Sequence, residues 1–294
     1  MKILVTGSTG QVGFELLRAL SPLGQIIAPT RQELDLGDLA AVGTYLEEQS
    51  PDMIINAAAW TAVDAAEDQQ DMAFCLNADL PRLLARYTNK HDTWLIHYSS
   101  DYVYPGTGTT PWIETDSTGP LSVYGKSKLA GDSAIQEETS RYLIFRTSWV
   151  YSARGNNFMK TMLRLGAERE SLNIVGDQVG APTPARLIAQ LTFMAVCKIH
   201  SKETVTSGVF HLAPKGQTNW HAFACAIFTL AKEHGHALAV DVEKVNAIET
   251  VDYPTPAARP LNSRMDVAAI EQLLAINMPD WESQLELTLK EYLN

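Results

Sequence analysis

Cysteine is scarce in this 294-residue chain: Cys75, Cys197 and Cys225 are the only three, odd in number and far apart. No Cys-x-x-Cys or Cys/His ligand spacing occurs, so a disulfide framework is not expected and inert thiols in a reducing compartment are. Positive charge is also in short supply. A formal net charge of −11 argues against nucleic acid or an anionic membrane surface as the main partner. It leaves room for an anionic small molecule, because a pocket needs only a few placed cations and backbone N–H groups. No apolar run approaches the ~18 residues that would span a bilayer. The opening "MKILVTG" runs from one lysine into a β-rich stretch and a glycine turn, with no cleavable signal pattern. Internal repeats, low-complexity tracts and Gly/Ser linkers are missing. A soluble cytoplasmic protein is the expectation.

What the chain does have is an ordinary globular balance, 46% hydrophobic and 19% charged, and a strand–helix rhythm. "KILVT" (2–6), "QIIAP" (25–29), "DMIINAAA" (52–59), "TWLIHYSS" (93–100) and "YLIFRTSWVY" (142–151) are near-continuous apolar runs. Such runs suit strands covered on both faces. Residues 14–24, 39–49, 72–90 and 122–138 are helical in pattern. The alternation predicts an α/β fold, a Rossmann-type doubly wound parallel sheet with right-handed crossovers. After Tyr151 the rhythm loosens, although 208–214 can return to the sheet as a last strand. The organisation expected is a dinucleotide-binding domain over 1–151 with a return segment at 184–214. A smaller interleaved lobe over 152–183 and 215–294 would bind substrate in the cleft between them.

"VTGSTGQVG" sets Gly7, Gly10 and Gly13 between the first strand and first helix. Glycines at this position permit a tight turn and bring a diphosphate against backbone N–H groups at a helix N-terminus. An acid ending the second strand would select NAD; here "PTRQELD" puts Arg31 there instead. A cation can accommodate the 2′-phosphate, so NADPH is favoured, with NADH left open as an alternative donor.

"SVYGKSK" places Tyr124 and Lys128 at i and i+4 on one helix face. Alone, such a pair is most often a solvated contact. A lysine ammonium beside a phenol nevertheless favours the phenolate and brings the tyrosine toward useful acid–base strength. "HYSSDYVY" ends the fourth strand with Ser99, Ser100 and Asp101, at the carboxyl edge where open parallel sheets bind ligands.

The glycine spacing, "NAAA" (56–59), Ser100 and Tyr124-Gly-Lys-Ser-Lys128 resemble the extended short-chain dehydrogenase/reductase superfamily. "NAAAWTAVDAAE", "HYSSDYVYPGTG", "PLSVYGKSKLAGD", "FRTSWVY", "DQVGAPT" and "YPTPAARPLNS" are similar, in order, to blocks of its dTDP-4-dehydrorhamnose reductase family. The resemblance implies NADPH-dependent reduction of the C4 ketone of dTDP-4-dehydro-β-L-rhamnose. It implies Tyr124 as proton donor, Lys128 as its partner at the nicotinamide ribose, and Ser100 as the hydroxyl at the carbonyl. Asp101 and Trp149 would meet the sugar. Gly10, Gln11, Val12, Asp35, Leu36, Ala59, Trp60, Thr61 and Tyr98 would touch the cofactor. Ser100 stands where the family often has Thr, and Trp60 where it more often has Tyr or His. Arg259 and Arg264 are candidates for the substrate diphosphate. Some family members hold Mg²⁺ at a subunit contact; Glu15 is present here, but Arg186 and Gln190 stand where further acids would be wanted, so no metal site is expected. The assembly stays open, a homodimer included. Two rival readings accompany this one: a reductase or epimerase of another nucleotide sugar, and a non-catalytic regulatory subunit on the same fold.

Overall fold

A computed structural model describes residues 1–201 and 203–293. Six parallel strands form the central sheet: β1 (Lys2–Thr6), β2 (Gln25–Ile27), β3 (Met53–Asn56), β4 (Trp94–Ser100), β5 (Tyr142–Thr147) and β6 (Gly208–His211). Their order is β6-β5-β4-β3-β1-β2. The order reverses beside β1, which leaves a crevice at the carboxyl edge between β1 and β3.

Both faces are covered, as the unbroken apolar runs require. One face sets Ile3, Val5, Ile55, Ile96 and Phe145 against the helices Gln11–Leu20 and Ala185–His200. The other sets Leu4, Ile54, Leu95 and Ile144 against Leu39–Gln49, Leu80–His91 and the helix Val123–Glu138. Burying a side chain of this size contributes about 1.5–3 kcal/mol. A second apolar cluster lies off the sheet, where Tyr151, Met159, Leu172, Phe223, Phe228, Trp281 and Leu285 meet. Short pairings frame it: Leu172–Val175 lies parallel to Val245–Ile248, and Val179–Gly180 antiparallel to Thr218–Asn219. The helix Ala268–Leu274, in a stretch expected to join the outer lobe, packs on the sheet side through Ile270 and Leu274.

Two of the expected elements are interrupted. The run 142–151 is not one strand: β5 stops at Thr147, Trp149 turns to φ +49°, and Val150–Tyr151 pairs with Thr183–Pro184 instead. The run 72–90 is not one regular helix: Gln70–Phe74 passes through a π-helical turn at Cys75–Asp79 into Leu80–His91. Pro81 follows that turn closely, and it can donate no N–H to the residues behind it. No helix among the described residues is long and apolar enough to cross a membrane.

Candidate active site

The glycine turn shapes itself. Gly7 sits at φ +68°, and a β-carbon on Gly13 would stand 2.1 Å from the Gly7 carbonyl oxygen. The helix therefore begins at Gln11, earlier than its apolar pattern indicates, with Gly13 inside its first turn. Gly10 caps it, and no side chain receives its first amides. Unclaimed N–H groups at the positive end of a helix fit a diphosphate. The Gln11 side chain is committed elsewhere, its Oε1 accepting from Ser152 Oγ at 3.1 Å and Asn157 Nδ2 at 2.8 Å. That bond ties the turn to the segment after Tyr151.

Arg31 is exposed in the turn after β2, where Thr30 donates its backbone N–H to Glu33 at 2.7 Å. The strand ends at Ile27, earlier than expected. Asp35 is exposed and accepts the Gly37 N–H at 3.0 Å; Leu36 packs on the apolar layer beneath. After β3, Ala59, Trp60 and Thr61 cross the carboxyl edge as a loop. Asn77 grips that loop from both sides: its Oδ1 receives the Trp60 N–H at 2.9 Å and its Nδ2 donates to the Trp60 carbonyl at 3.1 Å.

Ser100 ends β4, and its hydroxyl donates to Asp101 Oδ1 at 3.0 Å while accepting the Tyr102 N–H at 3.2 Å. Asp101 is buried and its Oδ2 has no hydrogen-bond partner. Burial pushes that carboxyl up to about 6, against the pull of neighbouring hydroxyls. Ser122 caps the helix Val123–Glu138 by accepting the Gly125 N–H at 3.2 Å. The cap starts the helix where Tyr124 falls in its first turn and Lys128 one turn deeper. Tyr124 lies half-buried with its ring edge-on to Tyr102, centroids 5.4 Å apart. Burial raises the phenol above its ordinary value, and the Ser100 hydroxyl opposes the rise.

Lys128 is 1% exposed, whereas Lys126 is exposed. The Lys128 Nζ donates to the Tyr98 carbonyl at 2.6 Å. Burial lowers this lysine to about 8, and Asp132, one turn further along, pulls it back up. The side chain of Tyr98 points away, into the core, where its hydroxyl meets Thr192 Oγ1 at 2.7 Å. What Tyr98 offers the site is its carbonyl.

Trp149 leaves the end of the sheet with its ring stacked on Trp220, centroids 3.8 Å apart. Arg259 pairs through Nη2 with Asp64 Oδ2 at 2.7 Å, while its buried Nη1 has no partner. Arg264 turns to Gln217 and Asn262. Glu15 is taken up by Arg186, whose Nε and Nη2 donate to it at 3.1 and 3.3 Å.

A glycine-lined helix start, a half-buried tyrosine with a buried lysine one helical turn further on, and a strand-end serine thus come to one sheet edge. The chain matches the family described as RmlD substrate binding domain across residues 1–294. It is 48% identical to the dTDP-4-dehydrorhamnose reductase of Shigella flexneri, over 99% of this chain and 98% of that one. The chain belongs to the dTDP-4-dehydrorhamnose reductase family. A solved dTDP-4-dehydrorhamnose reductase from Clostridium acetobutylicum superposes with a TM-score of 0.91 at 33% identity, each chain fully covered at 100%. One from Bacillus anthracis, solved in complex with NADP, superposes at 0.87 with 33% identity over 99% of both chains.

Within this family member, sequence reasoning missed Asn77, which also donates to Ser127 Oγ at 2.9 Å and so joins the Trp60 loop to the helix of Tyr124 and Lys128. Its signal was an asparagine inside an otherwise helical run, four residues before Pro81. Reasoning also missed Asp132, paired with Arg146 Nε at 3.0 Å and wholly buried. Its spacing of i+4 from Lys128 puts it on the same helix face.

Proposed function

We propose that this protein reduces the C4 ketone of dTDP-4-dehydro-β-L-rhamnose to dTDP-β-L-rhamnose with NADPH, the last step in making that nucleotide sugar. The observation that carries the reading is Tyr124 within hydrogen-bonding reach of the strand-end hydroxyl of Ser100, with the wholly buried Lys128 one turn further along the same helix. NADPH supplies the hydride to C4 when bound. Gly7, Gly10, Gln11, Val12 and Gly13 would hold its diphosphate through the unclaimed amides of the helix start. Arg31 would face the 2′-phosphate, while Asp35, Leu36, Ala59, Trp60 and Thr61 would line the adenosine and nicotinamide path.

Tyr124 gives its phenolic proton to the ketone oxygen as negative charge develops there. Ser100 donates a hydrogen bond to the same oxygen, exchanging the bond it makes with Asp101. Lys128, held by the Tyr98 carbonyl, keeps positive charge close to the phenol and favours its ionised form. Asp101 offers its unpaired carboxyl oxygen to the sugar hydroxyls, and Trp149 offers a flat apolar wall to the ring and its methyl group. The free Nη1 of Arg259 suits a diphosphate oxygen. In this reading the sheet with its return segment 184–214 carries the cofactor, and the segments 152–183 and 215–294 supply most of the cover over the sugar.

The deciding experiment is incubation with the dTDP-4-keto sugar and NADPH, with the product identified by NMR. A 6-deoxy sugar with the L-rhamno configuration at C4 is expected. A C4 epimer of it, or no consumption of NADPH, would refute the assignment.

A further inference from the structure

Three buried polar residues stand side by side across the hydrophobic sheet. The parallel register sets Thr6 of β1 opposite Asn56 of β3, and Asn56 opposite His97 of β4. Partners in register share a face. The row just behind them on that face is Leu4, Ile54 and Leu95, wholly apolar. Asn56 and His97 are 0% exposed and Thr6 is 2% exposed. Polar groups so placed cost their full desolvation unless each is bonded.

Each of them is bonded, in a single line. The Ala58 N–H donates to Thr6 Oγ1 at 3.3 Å, and Thr6 Oγ1 lies 2.6 Å from the Asn56 amide oxygen. Asn56 Nδ2 is 3.0 Å from His97 Nδ1, and His97 Nε2 is 3.4 Å from Lys128 Nζ. A row of aliphatic residues would fill this space without the desolvation, as the neighbouring row does. The line ends on Lys128, whose positive charge the proposed reduction uses.

The groups facing Lys128 are few. From the sheet come His97 and the Tyr98 carbonyl; from its own helix comes Asp132, itself held by Arg146. Burial holds the His97 imidazole well below its ordinary value, so the ring is neutral and has one donor and one acceptor. An ammonium at Lys128 makes Nε2 the acceptor. The ring proton then sits on Nδ1, and Asn56 must turn its amide oxygen to receive it. An uncharged amine reverses the bonds between the side chains: Nε2–H donates to Nζ, Nδ1 accepts from Asn56 Nδ2, and the Asn56 oxygen accepts from Thr6. The Asn56 amide stands with Oδ1 toward Thr6 and Nδ2 toward His97, as in the second arrangement; the first differs by a half-turn of that amide, which keeps the outline of the side chain.

We propose that His97 is a positioning residue for the reduction, oriented by Asn56 and Thr6 so that its Nε2 receives a hydrogen bond from the Lys128 ammonium and holds that charge in place behind Tyr124. The role rests on the reductase reading, but the bond itself can be tested without turnover. In unliganded protein labelled with ¹³C at lysine Cε, NMR titration reads the Lys128 proton directly. His97→Phe keeps a ring of similar size and removes the acceptor. Losing a hydrogen bond to the charged form should lower the Lys128 midpoint by about one pH unit, and the alkaline limb of the kcat profile should move down with it. His97→Gln, which retains an acceptor, should return both toward their original positions.

If His97→Phe does not fold, Asn56→Leu serves the same purpose, because it strips the imidazole of its orienting partner. A Lys128 midpoint unmoved in a folded variant of either kind would overturn the proposal. A shifted midpoint in a protein that does not reduce the dTDP-4-keto sugar would leave the bond standing and sink the reductase reading instead.

Discussion

Trp149 and Trp220 stack nearly face to face, with ring centroids 3.8 Å apart and planes 18° from parallel. The stack explains how Trp149 keeps a φ of +49°, a left-handed conformation rare for a bulky side chain. Trp220 is in turn held by Gln178, whose Oε1 accepts its indole N–H at 3.0 Å, and by Phe158 at 4.6 Å between centroids. An aromatic pair contributes about 0.5–1.5 kcal/mol beyond its buried area. Trp220→Ala should therefore raise KM for the sugar nucleotide about three- to tenfold while leaving KM for NADPH nearly unchanged. Trp220→Phe should recover most of the loss. Steady-state kinetics with each substrate varied would check this, and equal changes in both constants would contradict it.

Tyr124 is assigned the proton that the ketone oxygen must gain. General acid catalysis contributes about 10²- to 10⁴-fold, so Tyr124→Phe should lower kcat by that order. Fluorescence titration should find NADPH affinity within about twofold of the unchanged protein, because only one oxygen is lost. Turnover at the original rate would remove the tyrosine from the mechanism.

Arg31 stands exposed past the end of β2 and forms no ion pair among the described residues. An exposed charge-assisted hydrogen bond to phosphate falls at the weak end of about 1.5–3 kcal/mol. Arg31→Ala should raise KM for NADPH about tenfold and leave KM for NADH essentially where it was. Parallel losses with both cofactors would show that Arg31 does not read the 2′-phosphate.

Asp101 sets a pH dependence on stability. Its folded-state value is raised from 3.8 to about 6 by burial. The folded state therefore holds this proton more tightly than the unfolded chain does. The stability it confers is fully present below the unfolded value and is lost as pH rises through about 6. Above that window the buried carboxylate costs on the order of 3 kcal/mol. Asp101→Asn should be more stable than the unchanged protein at pH ~7.5, with the gap closing near pH ~4, as read by urea unfolding at both. A gap that did not vary with pH would mean that Asp101 is not the group responsible.

Much of this molecule is local, and local physics is legible. The runs at 2–6 and 93–100 read as doubly covered strands because every position in them is buried or nearly so. The glycine turn, Ser100 at a strand end and the Tyr124–Lys128 spacing were legible for the same reason, since each depends on residues within one turn or one loop. The Trp149 bend was not legible, because nothing in "RTSWVY" carries the glycine that usually marks a left-handed residue. Its conformation depends on Trp220, far along the chain. Asn77 was hidden because its meaning comes from the π-helical turn and from the close crossing of the helix Val123–Glu138, where a β-carbon on Gly131 would stand 2.0 Å from the Asn77 carbonyl oxygen.

By itself, then, the amino-acid sequence determined the sheet-and-helix rhythm, the turn that opens the first helix and the three side chains that face the proposed chemistry. The tertiary structure alone decided what stands behind Lys128. Thr6, Asn56, His97, Asp132 and Arg146 come from four strands and a helix, and the bonds between them need the strands in one register and the helix laid across it. Hydrogen bonds form within about 3.5 Å; over sequence separations of tens of residues, only the packed sheet brings the partners that close.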